Sequence, residues 1–170
     1  MFSAKELLLT DVGYSAWANQ RLLDACSGFA PALLERDPGA SHAGILATLQ
    51  HVCDGEKVWL NCLSTTPDLG SWRLPTGAAP QPSLLELKQQ WPGLWSGYRA
   101  WLKTASDNSL GIAVTVHLPD GTSPTIARWK ILRHVLDHST FHRGQVIGMI
   151  RALGHTPPAI NRMDYVLTGG

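Results

Sequence analysis

From Pro124 to Leu153 the chain repeats apolar residues at helical spacing, and Gly154 followed by Pro157-Pro158 ends the pattern. Val135, Val146, Ile150 and Leu153 share one face, with Ile131, His138, Gln145 and Met149 on the line beside it. A helix this long with an apolar stripe has to bury that stripe against other helices. The stripe also carries chemistry. His138 and His142 are four residues apart, about 40° around the helix axis, so both imidazoles can turn toward one ion.

Two Ser-x-x-Glu capping boxes place further helices. Ser3-Ala-Lys-Glu6 opens one that ends near Gly28, and Ser83-Leu-Leu-Glu86 opens another that continues to about Thr104, with Pro92 expected to kink it. A linker from Pro31 to Gly39 precedes a helix capped by Ser41 and running to about Leu63. Residues 64–82 read as an irregular crossover. Ile112 to Val116 alternates like a strand, and Asp120-Gly121 is a turn signal. Ser123-Pro124 supplies an N-cap and a first-turn proline for the last helix. The expected fold is all-α: a four-helix bundle with long crossover connections and a short β-hairpin before the last helix. One domain over residues 1–170 is expected from the length.

Composition narrows the function classes. With 44% hydrophobic and 16% charged residues the chain belongs among globular proteins. A net charge of +1, with Lys and Arg scattered, gives no basic surface for nucleic acid. No apolar run reaches membrane-spanning length, and the first ten residues lack a signal-peptide pattern, so a cytoplasmic protein without a membrane partner is expected. Three cysteines, an odd number, agree with a reducing compartment.

His51, in the second long helical segment, shares a face with Gly44 and Gly55, which leave room beside a ring. Delivered by folding to His138 and His142, it would complete an open site of three imidazoles for a divalent ion. Histidines satisfied within a core are the alternative. His134 lies about 12 Å along the axis from His142, so it reads as a residue lining the site rather than a ligand, or as a surface histidine. His42, His117 and His155 are expected to face solvent. Asn19 sits on an otherwise apolar line with Leu8, Val12 and Cys26, where it could orient a ligand imidazole or bond local backbone. Gln145 has the same two readings, and site-lining is favoured. Glu56 could support a ligand imidazole from behind or form half of an ion pair with Arg21 or Arg143, and the ion pair is favoured. Cys26, Cys53 and Cys62 read as small core residues, since none has zinc-motif spacing.

Three segments carry a resemblance. Tyr14-Ser-Ala-Trp17-Ala-Asn19-Gln-Arg21, Leu49-Gln-His51-Val-Cys-Asp-Gly-Glu56-Lys-Val-Trp59 and His134-Val-Leu-Asp-His138-Ser-Thr-Phe-His142-Arg-Gly-Gln145 resemble the DinB/YfiT-like proteins, whose name reflects damage-inducible, stress-response relatives. The resemblance implies a four-helix bundle, a homodimer, and nickel or zinc on His51, His138 and His142. It also implies a small-molecule substrate and thiol-dependent transferase or isomerase chemistry with a low-molecular-weight thiol. In that chemistry Gln145 and His134 position substrate or water, and Asn19 supports the cofactor. A metal-dependent hydrolase and a non-catalytic metal-binding bundle are the competing functions. The chain departs from the family at Asn161, where relatives often carry Asp.

Overall fold

The computed structural model describes residues 3–39, 42–65, 71–74 and 82–169. Two of its long helices begin where local hydrogen bonds satisfy their first turns. α1 (Ala4–Cys26) is capped by Ser3, whose hydroxyl accepts from the Glu6 amide at 3.2 Å while Glu6 accepts from the Ser3 amide at 2.8 Å. The Ser83–Glu86 pair repeats the device at α4 (Leu84–Thr104). Pro92 cannot donate to the Lys88 carbonyl, yet α4 is continuous through it. Between these two helices lie α2 (Pro31–Leu34), a single turn inside the expected linker, and α3 (Gly44–Thr65). The proposed cap Ser41 and most of the crossover, residues 66–70 and 75–81, lie outside the described residues.

The crossover, expected to be irregular, contributes β1 (Ser71–Arg73). After α5 (Asp107–Gly111) come β2 (Ala113–His117) and β3 (Thr125–Ala127). β2 pairs with β1 in parallel, Trp72 opposite Val116, and with β3 in antiparallel, Val114 opposite Ile126. The Asp120 carboxylate holds the hairpin turn by accepting from the Thr122 amide at 2.9 Å, and Gly121 takes a φ of +85° there.

This hairpin overturns one expectation. Ser123-Pro124 does not start the last helix: the Pro124 carbonyl accepts from the Val116 amide at 2.9 Å, and residues 125–127 join the sheet. Pairing with β2, whose Val114 and Val116 are fully buried, wins over a local cap. α6 (Arg128–Ala152) therefore starts at Arg128 without a side-chain cap. It ends as expected at Gly154, φ +85°, where the Gly154 amide reaches Arg151 and the His155 amide reaches Ile150. α7 (Arg162–Leu167) follows, capped by Asn161, which accepts from the Asp164 amide at 3.0 Å.

The protein is mostly helical, with seven helices and a small three-stranded sheet among the described residues. α1 packs on α4 and α6, and α3 packs on α6 and α4. Leu22 and Leu23 of α1, Leu49 and Val52 of α3, Trp91, Trp95 and Tyr98 of α4, and Val135, Val146 and Ile150 of α6 fill the interior. Cys26, Cys53 and Cys62 are buried among them, as expected of small core residues. Among the described residues no helix is long and apolar enough to cross a membrane. The pairing that matters most for function is α3 against α6, because it sets the histidines of the two helices face to face.

Candidate metal centre

Successive turns of α6 present His134, His138 and His142, and α3 brings His51 against the last two. The His138 and His142 ring centroids are 4.4 Å apart, and His51 lies 4.7 Å from His142. The Nε2 atoms of His51 and His138 approach to 3.0 Å. Nitrogen ligands about 2.0–2.1 Å from a tetrahedral zinc lie about 3.4 Å from each other, so the pair is set at nearly the spacing an ion imposes. Gly55 makes room for this approach: a Cβ there would lie 3.3 Å from Cε1 of His138.

A fourth imidazole joins them. His42, just before α3, stacks on His51 with centroids 4.1 Å apart and lies 5.3 Å from His142. Ligand nitrogens of His42, His51 and His142 all fall within 4.8 Å of one another, a group among the described residues that could hold a metal ion; the expected ligand His138 is not in it and meets it only through its Nε2, 3.0 Å from that of His51. The expectation that His42 faces solvent is therefore corrected: it is half-buried in the cluster. Helical periodicity could not have placed it, since it precedes the helix. His155 is exposed, beside Phe29, while His117 is half-buried in β2 with its Nδ1 2.9 Å from the Ser123 hydroxyl. Neither is part of the cluster.

The electrostatics keep the rings ready to bind. Burial first, and then repulsion from the neighbouring imidazoles, brings both His51 and His138 down to about 4. Burial also lowers His142, partly offset by its hydrogen bond to Gln145. Neutral imidazoles are the form that coordinates a cation. The Gln145 carbonyl oxygen accepts from Nδ1 of His142 at 2.7 Å, which fixes the proton on Nδ1 and leaves Nε2 as the free donor. Gln145→Ala should weaken metal binding roughly 10–100-fold, as loss of such orienting partners does, and a competition titration against a chromophoric chelator measures it. Unchanged affinity would show that the ring needs no such support.

His134 stands one turn from His138, centroids 5.7 Å apart, and its ring lies nearly perpendicular to that of Trp59, centroids 5.6 Å apart. Trp59 in turn lies 5.9 Å from Trp72 of β1. An exposed imidazole and two indoles thus flank the cluster on one side.

Behind the histidines lies a buried polar hub that sequence reading did not anticipate. The Glu56 carboxylate accepts from Asn19 Nδ2 at 3.1 Å, from the Ser139 hydroxyl at 2.6 Å and from the Trp91 indole N–H. Asn19 Oδ1 accepts from Arg143 at 3.0 Å. Both ends of the Asn19 amide are thus engaged between Glu56 and Arg143 rather than on an imidazole. The expected ion pair is also corrected: Arg143 reaches Glu56 through Asn19, and Arg21 bonds the Ala159 carbonyl at 2.9 Å instead. Burial raises Glu56 to about 7, against the pull of its donors and of Arg143. Ser139 sits between His138 and His142 in α6, so the hub ties the ligand-bearing turn to α1, α3 and α4.

A mostly helical protein in which imidazoles from α3, α6 and the residues before α3 converge within ligand reach of one another could hold a metal ion. The chain matches the DinB family over residues 1–168 of 170 and belongs to that family. No curated protein matches it.

Proposed function

We propose that the protein is a metal-dependent enzyme of the thiol S-transferase or isomerase type, acting with a low-molecular-weight thiol. The observation that supports this best is the convergence of uncharged imidazoles from α3 and α6, a donor set suited to zinc or nickel. His51, His138 and His142 would hold the ion. Bound there, a divalent ion supplies Lewis acidity and lowers the pKa of a thiol that joins it.

The protein's own groups do the rest. Gln145 fixes the tautomer of His142, and the hub at Glu56 holds the turn between the two α6 ligands. His134 is close enough to His138 to hold a proton or hydrogen-bond a substrate beside the ion, and Trp59 and Trp72 offer apolar faces for the organic part. The four long helices are taken as a four-helix bundle, and the exposed Phe141 and Trp129 as surface for a homodimer. Three free cysteines support a reducing, cytoplasmic setting, and a net charge of +1 favours a small molecule over nucleic acid.

The test compares zinc-loaded wild type with His138→Ala for consumption of a chloro-nitroaromatic or an epoxide, with and without a low-molecular-weight thiol. Faster, thiol-dependent loss of the electrophile in the wild type alone supports the transferase. Turnover that ignores the thiol and follows water instead replaces it with a metal-dependent hydrolase. No turnover across such a panel leaves a metal-binding, non-catalytic stress protein as the function.

A further inference from the structure

The imidazole that sequence reading set aside bears on how the centre is closed. His51, His138 and His142 stand on helices, where backbone hydrogen bonds hold their Cα positions. His42 stands outside α3, yet its ring is fixed over His51, 4.1 Å away and inclined by 29°. Its backbone is anchored by the residue two places on. The His42 carbonyl accepts from the Gly44 amide at 2.8 Å, and Gly44 takes a φ of +93°. A Cβ at Gly44 would meet the Leu34 carbonyl oxygen at 2.9 Å and the Glu35 carbonyl carbon at 3.0 Å. Only glycine meets both the dihedral and the space, so the end of α2 and the start of α3 together place His42 at the cluster.

Stacking alone would leave the His42 nitrogens at any distance from the others. They are not: one lies within 4.8 Å of ligand nitrogens on both His51 and His142. Toward His51 and His142, rotation about χ1 and χ2 of a side chain outside the helix covers the remaining ångström or so, down to the roughly 3.4 Å between neighbouring ligands of a tetrahedral ion, while His138 already stands 3.0 Å from His51. We propose that His42 supplies a fourth nitrogen to the metal centre, closing the coordination position that His51, His138 and His142 leave open. An incoming anion, a thiolate included, would then compete with His42 for that position. This rests on the metal-centre reading above and adds to it the residue that controls access.

Cobalt(II) reports both halves separately. Wild type, His42→Ala and His42→Cys are loaded with cobalt, with helix content checked by circular dichroism. Cobalt content, X-ray absorption and the visible spectrum are then measured, with azide as the added anion. The wild type should hold one cobalt per chain with four nitrogens. His42→Ala should keep the cobalt, lose one nitrogen and bind azide at least about tenfold more tightly, because no internal ligand then competes for the position. His42→Cys should gain a sulfur-to-cobalt charge-transfer band absent from the alanine variant, a signal that a merely stacked residue would not produce.

Identical spectra and azide affinities for wild type and His42→Ala, with no such band in His42→Cys, overturn the proposal and leave the three-histidine centre standing. Complete loss of cobalt from folded His42→Ala would make His42 one of the primary ligands, which also overturns its role as an added fourth. A wild type that takes up no cobalt removes the metal centre itself, and the proposal with it.

Discussion

Replacing any one of His51, His138 and His142 by alanine should weaken zinc binding by more than about 100-fold at neutral pH, a larger loss than that of the orienting amide of Gln145. Each substitution removes a donor that helix packing already holds in place, with the His51 and His138 Nε2 atoms 3.0 Å apart. Native imidazoles with pKa values near 4 also meet little competition from protons. The wild-type affinity should therefore change little between about pH 7.5 and pH 6, a range in which a histidine of ordinary pKa becomes largely protonated. Chelator competition measures both effects. Full zinc occupancy in any single variant would remove that residue from the ligand set, and a steep fall in affinity by pH 6 would mean that the cluster does not hold its rings neutral.

The second large effect is on stability and belongs to Glu56. Glu56→Ala should cost about 3 kcal/mol, read by urea unfolding of the metal-free protein at pH 7. The substitution leaves the Trp91 N–H, the Ser139 hydroxyl and the Asn19 amide without their acceptor in a fully buried site, and it removes the acceptor that Asn19 links to Arg143. A cost below about 0.5 kcal/mol would mean that the hub relaxes around the gap. Glu56→Gln isolates the charge. The native carboxyl, near 7, lies above the ordinary value of 4.5, so between these two pH values the native state holds this proton more firmly than the unfolded chain. The stability of wild type relative to Glu56→Gln should therefore rise as pH falls from 7 toward 4.5. A difference that shrinks over that range would show that the donors and Arg143, rather than burial, dominate the carboxyl.

Both effects trace to residues that were visible in the sequence for different reasons. His138 and His142 were legible as a pair because four-residue spacing on a helix fixes their relative direction whatever surrounds them. Glu56 was legible only as a polar residue in line with Leu49, Val52, Trp59 and Leu63. Its acceptor role depends on Trp91, Asn19 and Ser139, which come from three other helices and lie 35, 37 and 83 residues away. The same distance explains why Asn19 reads from the sequence as a partner for an imidazole or for local backbone and is found between a carboxylate and a guanidinium.

The sequence by itself determined the long helices and two of their beginnings, because a helix satisfies its backbone within four residues and its caps within three. It also determined the i,i+4 histidine pair, and it singled out His51 from a face bearing two glycines. Tertiary structure decided the rest. It chose strand pairing over the Ser123-Pro124 cap, since the partner β2 lies across a turn and its valines are buried on the core side. It placed His42 in the cluster, because a residue ahead of a helix points wherever the chain before it is packed. Here that direction is fixed by the Leu34 and Glu35 backbone against Gly44, a contact no periodicity records.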